Sequence, residues 1–272
     1  MAIAHISPLG SDDDTPGVDI VLTAENAAAQ AELLERRVRT LVGALHRRFW
    51  DRRRELLLQR APHAVRSEPT STDDSGWTVD GYEVPLELRG GPDFCADSAS
   101  SWDARVEAFG SIRAPEPSDP GGVVDVIRVR GWDATEPAVL VDGSSVPGAV
   151  FDLAVVLGLR ADELRDGYCR FWVCLPEVHD PVEARLWNDL VNIAQDRLGI
   201  TRGTVRIVAS IESADAAHRV DPILSELRSH AAAVCVADGC GVDEAQVKDG
   251  AARRGAMFIG AVAASNSVDI LI

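Results

Sequence analysis

The sequence predicts an α/β protein on a parallel sheet, a TIM-barrel-like (β/α) fold with a helical segment ahead of it. Three observations predict this class. Apolar runs recur after Gly122 at 123–129, 171–175, 205–211, 233–237 and 257–264, with helical or loop patterns between them. Strands that alternate with helices imply parallel neighbours. The run from Thr204 to Ile211 is too continuous for a strand with one wet face and reads as buried on both sides. Finally, no GxGxxG follows any strand and no GxxxxGK loop occurs, which favours the barrel over a nucleotide-binding sheet.

Taken in order, residues 1–22 read as a polar, flexible leader with Pro8 and Pro16. A long helical pattern follows to about Arg60, with Leu34, Val38, Leu41, Leu45 and Leu56 on one face. Its arginines, Arg47, Arg48, Arg52, Arg53 and Arg54, read as a solvated face pairing with acidic residues. Residues 62–76 and 113–122 are loops rich in Pro, Gly and polar residues. A weaker strand candidate lies at Asp93–Asp97. The best-defined unit starts at Asp180, placed as a helix N-cap, with Pro181 at the first helical position and Glu183 completing a capping box. Leu186, Leu190, Ala194 and Leu198 follow at helical spacing, Gly199 ends the helix, and the strand after it exits at Glu212.

Composition narrows the function. A formal charge of −16 disfavours nucleic acid and anionic membrane as partners, since phosphates are repelled at long range. No apolar run approaches the ~20 residues that span a bilayer, and the acidic N-terminus lacks a signal-peptide pattern, so a cytoplasmic location is expected. Five cysteines, an odd number, suit a reducing compartment and read as buried free thiols. Lys248 is the only lysine, which precludes a lysine Schiff base at any strand end.

Chemistry-bearing residues gather at three strand exits. In Arg128-Val129-Arg130-Gly131-Trp132, alternation puts both arginines on one face, where a guanidinium could hold a carboxylate or enolate oxygen by forked hydrogen bonds. A structural arginine paired with an acidic residue is the competing reading. Glu212, after Ser210-Ile211, could ligate a hard cation such as Mg²⁺, or simply sit at a helix N-terminus. Asp238, after Cys235-Val236-Ala237, could be a second ligand. The histidines show no HExxH, and no GxSxG supports a Ser-His-Asp triad.

The chain resembles malate synthases. The resemblance is carried by IRVRGWDATEPAVLVDGSSVPGAVFDLAVVL (127–157), LPEVHDPVEARLWNDLVNIAQDRLGITRGTVRIVASIES (175–213) and DPILSELRSH (221–230), with weaker matches at 76–89, 94–103 and 253–264. It implies a TIM barrel behind an N-terminal helical clasp, here 23–85 and 86–272. The implied chemistry is Mg²⁺-dependent condensation of an acyl-CoA thioester with an oxo acid such as glyoxylate. It also implies Arg130 as the catalytic arginine and Glu212 on the metal; Arg128 and Trp132, at the same strand exit as Arg130, are expected beside the substrate, and Asp238 is expected as the second metal ligand.

Departures accompany the resemblance. The family's acidic FEDS motif reads Ala96-Asp97-Ser98-Ala99-Ser100, its LPK lysine is Glu177, and its CGRWD aligns with Cys235–Asp238 only across a deletion. The eighth strand and the C-terminal domain with the catalytic aspartate find no match. The expected barrel is therefore incomplete or modified, closed by Val268–Ile272 or self-associating through an open edge. The expected function is a divergent malate-synthase-like enzyme that makes or breaks a C–C bond. The alternatives are a non-catalytic scaffold or partner subunit and a thioester hydrolase or lyase.

Overall fold

In the computed structural model the described residues are 4–5, 18–22, 33–60, 76–79, 87–96, 99, 101–112, 123–167, 171–237 and 239–262. Ten strands occur among them: β1 (Ala4–His5), β2 (Val18–Leu22), β3 (Glu87–Asp93), β4 (Val123–Arg128), β5 (Thr135–Val141), β6 (Ser144–Pro147), β7 (Phe171–Leu175), β8 (Arg206–Ile211), β9 (Ala231–Ala237) and β10 (Met257–Val262). The helices are α1 (Arg36–Gln59), α2 (Trp102–Gly110), α3 (Gly148–Leu159), α4 (Ala161–Arg165), α5 (Pro181–Leu198), α6 (Ala214–Ala217), α7 (Val220–Leu227) and α8 (Glu244–Arg253).

Six strands make one wholly parallel sheet in the order β10-β9-β8-β7-β4-β3, so the expected β/α architecture holds. Its two faces are dry for different reasons. Ile127, Val173, Leu175, Ile207, Ala209 and Ile211 join the main core with α1, α3 and α5, while Val126, Trp172, Cys174, Val208, Ala233, Cys235 and Ile259 form a second buried cluster on the other face. This is the period-two partition of a barrel wall, outside packed by helices and inside packed by itself. Among the described residues the sheet is open, with β3 and β10 as its edges. Val268–Ile272, the segment expected to close it, lies outside the described residues.

The α5 unit follows its sequence signals with one change. Asp180 Oδ1 accepts the Glu183 N–H at 2.9 Å, Pro181 occupies the first turn, and Gly199 ends the helix at φ 68°. Glu183 does not complete the capping box on Asp180. Its Oε2 reaches one residue further back, to the His179 N–H at 3.0 Å, and its Oε1 pairs with Arg60.

Other expectations need correction. The first strand of the parallel sheet is Glu87–Asp93, not Asp93–Asp97, because the chain leaves the sheet in a turn after Asp93. A second, antiparallel sheet, β1-β2-β5-β6, was not foreseen. Its β5–β6 hairpin turns on Asp142 and Gly143, at φ 52° and 80°, the paired positive φ values that an Asp-Gly turn supplies. Strand β2 pairs with β5 from within the stretch read as a leader. Helix α1 starts at Arg36, and residues 23–32 lie outside the described residues. Of the arginines expected on a solvated face, Arg53 is buried and turns to backbone carbonyls, whereas Arg47 meets Asp142, Arg52 meets Asp189 and Arg54 meets Asp51. Such exposed pairs contribute about 0–1 kcal/mol each.

His230, just before β9, ties that strand's start to α5. Its Nδ1 donates to Val205 O at 3.0 Å, and Nε2 lies 3.2 Å from the Asn192 side-chain amide. Burial pushes its pKa down to about 4. The neutral ring is thus the folded form, and stability should be full above pH 6.5. It should fall as the pH drops from 6.5 towards 4, where only the unfolded chain takes up the proton, by about 3 kcal/mol in all. Urea titrations across this range should show the loss, and His230→Gln should flatten it.

Candidate active site

Three adjacent parallel strands, β7, β8 and β9, end at one cavity of about 250 Å³, lined by Glu177, Val178, His179, Glu212, Ser213 and Cys240. In β/α barrels this end of the strands is where chemistry is found. Backbone bonds stitch the exits together: Val178 N–H donates to Ser210 O at 3.0 Å, and Glu177 N–H donates to Glu212 Oε1 at 3.2 Å. Glu177 holds φ 45°, a left-handed conformation that costs a non-glycine residue of order 1 kcal/mol and aims its N–H at Glu212.

Glu212 is the centre of this cluster. Its Oε1 accepts from Glu177 N–H, from Ser210 Oγ at 2.7 Å and from Arg128 Nη2 at 2.8 Å. Arg128 and Glu212 keep 17% and 18% of their side chains exposed, so the pair is sheltered but reachable. Glu212 stands just before the short helix α6 but does not cap it, because Ser213 accepts from Ala216 N–H. Ser210 reaches Glu212 from the inner face of β8, where it lies opposite Cys235. Below it, the Cys174 thiol hydrogen-bonds Cys235, which pushes Cys174 up and Cys235 down. Both sulfurs are fully buried, as expected from sequence. Cys95 departs from that expectation. It is exposed as a residue, but its sulfur donates to Val129 O at 3.1 Å and burial pushes its pKa up to about 12. Cys169 lies outside the described residues.

Arg130 is not on the cavity. The β4 ladder ends at Arg128, and the Arg130 N–H turns to Asp152 Oδ2 at 2.8 Å. Its side chain follows, with Nη2 2.6 Å from Asp152 Oδ1 and 3.0 Å from Glu136 Oε2. Glu136 in turn takes a forked pair from Arg105 at 2.8 and 3.0 Å. Two guanidiniums and two carboxylates thus neutralise one another in a buried chain. Burial works against the Arg130 charge, and Asp152 and Glu136 outweigh it. Only Nη1 of Arg130 lacks a carboxylate; it lies 3.4 Å from Thr135 O. The two arginines therefore serve different partners rather than one face. Gly148 makes room for this, since a Cβ there would stand 3.1 Å from the Arg130 Cβ.

Trp132, expected beside the substrate, is a core residue. It is fully buried, 4.7 Å from the Trp187 ring and 6.3 Å from Phe49 between centroids. Gly131 takes no positive φ, and a Cβ there would meet closely only the tip of the exposed Asp133 side chain, at 2.8 Å, which can swing aside. Sequence reasoning also missed Asp152, Glu136 and Arg105, buried ionic residues on separate elements. Their signal was a charged residue inside an otherwise apolar helix, as in Phe151-Asp152-Leu153.

Residues 124–240 match the family model described as malate synthase, TIM barrel domain. The chain belongs to the malate synthase family. It is 42% identical over 108 residues to the glyoxysomal malate synthase of Candida tropicalis, covering 39% of this chain and 19% of that protein. It is 30% identical to the malate synthase of Streptomyces clavuligerus over 269 residues, 79% of this chain and 50% of that one. The Myxococcus xanthus malate synthase is 37% identical over 42% of this chain and 21% of its own length. The chain thus spans half or less of these malate synthases. No helix among the described residues is long and apolar enough to cross a membrane.

A malate-synthase-type site implies Mg²⁺, and the residues present bear on whether one fits. Glu212 Oε1 is saturated by three donors, which orients Oε2 as the oxygen left for a cation beside the cavity. No group of three or more His, Cys, Asp or Glu among the described residues is placed to hold a metal. Mg²⁺ keeps several waters and takes one or two carboxylates, so Glu212 beside a cavity of about 250 Å³ is compatible with it. Asp238, the second expected ligand, lies outside the described residues.

Proposed function

We propose that this protein is a divergent malate-synthase-type enzyme, making or breaking a C–C bond between an acyl-thioester enolate and an oxo acid such as glyoxylate. The observation that carries it is the Arg128–Glu212–Ser210 cluster at a cavity where three parallel strands end. Arg128 offers guanidinium donors to the oxo acid's carboxylate, with Ser210 and the Glu177 N–H fixing the geometry of Glu212. Glu212 and Asp238 would hold Mg²⁺, which when bound polarises the oxo acid's carbonyl. Arg130, held by Asp152 and Glu136, acts in this reading as a positioning residue for the β4 exit rather than as a donor to substrate. Small oxo acids and acyl thioesters are the partners this reading supplies.

Calorimetry with MgCl₂ and glyoxylate should show binding that Glu212→Ala removes. A thiol-release assay with acetyl-CoA and glyoxylate then reports turnover. No binding by the wild-type protein would discard the reading. A second reading, a non-catalytic partner subunit, is favoured by one observation: the expected catalytic Arg130 is tied into a buried ionic chain. Binding of oxo acid with no thiol release under any condition is its expected signature.

A further inference from the structure

We propose that the buried thiols Cys174 and Cys235 extend the site into the barrel wall as a hydrogen-bonded chain, Cys174–Cys235–Ser210–Glu212, in which Cys235 is a positioning residue for the Glu212 oxygen that meets the cation. The inference rests on the reading of Glu212 as the residue that holds Mg²⁺.

Placement comes from strand register. Ser210 on β8 lies directly opposite Cys235 on β9, so the two side chains are neighbours on the inner face of the sheet. Cys174 on β7 is level with Val208, itself level with Ala233, and so stands one inward layer below Ser210 and Cys235. On its other side Cys174 is level with Arg128 of β4. That arginine reaches Glu212 Oε1 at 2.8 Å. Arg128, Cys174, Cys235, Ser210 and Glu212 thus follow one another around a ring beneath the cavity. Both sulfurs and Ser210 are fully buried. Cys95 stands outside this chain, because its sulfur donates to Val129 O.

The direction of each bond follows from the top of the chain. A carboxylate paired with a guanidinium offers only lone pairs, so the Ser210 hydroxyl donates to Glu212 Oε1, at 2.7 Å. Serine has one proton, and that bond uses it. The bond between Ser210 and Cys235 is therefore made by the Cys235 S–H, with Ser210 Oγ accepting. By the same argument the Cys174 S–H donates to the Cys235 sulfur. No member of such a chain can turn away without stranding a buried polar atom beside it.

The consequence is for the cation. Glu212 Oε1 takes its three donors only while Ser210 points to it, and this is what leaves Oε2 to the cavity. A carboxylate whose other oxygen is held by hydrogen bonds presents itself to a metal in one orientation. Cys235 touches neither cation nor substrate and acts through Ser210. A valine would fill nearly the same space, so the S–H is what the cysteine adds beyond packing.

Infrared difference spectra of the full chain read this directly, since the S–H stretching band is free of overlap from other protein groups. The Cys235 band, assigned as the one lost in Cys235→Ser, should shift when MgCl₂ is added, because the cation draws charge from Glu212 and weakens its pull on Ser210. A thiol that only packs would give an unmoved band. By calorimetry, Cys235→Val should bind Mg²⁺ about 3- to 10-fold more weakly, the effect of one neutral hydrogen bond. Cys235→Ser, which keeps a donor in place, should recover most of that loss. A Cys235 band blind to Mg²⁺ that the wild type binds, or Cys235→Val binding as tightly as wild type, would overturn the inference and leave the reading of Glu212 standing. Absence of Mg²⁺ binding by the wild type would reject that reading and the inference with it. If Cys235→Val does not fold, the wild-type band decides.

Discussion

Replacing Arg130 by methionine is expected to destabilise the protein by roughly 3–5 kcal/mol, because it strands the buried charge of Asp152. Asp152 is fully buried on α3, and each of its oxygens is bonded by Arg130, one of them twice over through the backbone N–H and Nε. Burial already pushes the Asp152 carboxyl up, and Arg130 is what holds it down. Without the guanidinium, Asp152 must take up a proton or drag water into a core of Phe151, Leu153 and Trp132. Glu136 loses less, since Arg105 still grips both of its oxygens. Pairing Arg130→Met with Asp152→Leu should recover most of the loss, because removing both charges removes the desolvation cost with them. Urea unfolding of the wild type, the two single variants and the double variant closes the cycle. A single variant within 1 kcal/mol of wild type would show that the ionic chain does not exist as drawn.

Arg53→Met should cost about 2–4 kcal/mol, from charge-assisted hydrogen bonds that no other group can replace. Arg53 projects from α1 into the loop after β4 and caps three successive carbonyls, Trp132 O at 2.5 Å, Asp133 O at 3.1 Å and Ala134 O at 3.4 Å. A methionine fills the stem's volume but offers nothing to those oxygens. The loop they belong to joins Arg130 to β5, which carries Glu136, so its loosening should reach the ionic chain as well. Calorimetric unfolding should show the lowered Tm, and oxo-acid binding should weaken more in Arg53→Met than in Arg52→Met. Arg52, which makes a part-exposed pair with Asp189 and lies 5.4 Å from the Phe49 ring centroid, serves as the control. Equal stability for both variants would reduce Arg53 to another surface arginine.

What could be read in the sequence depended on how local each signal was. The α5 unit was legible because its cap, its apolar spacing and its Gly199 stop all lie within twenty residues or so and reinforce one another. Strand β7 was legible because all five of its residues are buried, and an unbroken apolar run announces that burial. The β5–β6 hairpin was missed although Asp142-Gly143 marks it, since a strong α/β pattern around it absorbed its two short strands. At the site, Glu212 and Arg128 were found because both end apolar strands, yet nothing in either strand says that they pair with each other.

The sequence by itself determined the family, the order of strands and helices in the barrel wall, and the strand exit on which Glu212 stands. Those properties follow from period and capping, which act between near neighbours in the chain. The tertiary structure alone decided the fates of the two arginines: Arg128 to Glu212 at the cavity, Arg130 to Asp152 and Glu136 in the core. It also turned Glu183 from a cap into a support for His179, and Trp132 from a candidate contact into packing. Each of these outcomes depends on which distant charge or ring shares a buried space, and burial is a property of the assembled layers rather than of any one segment.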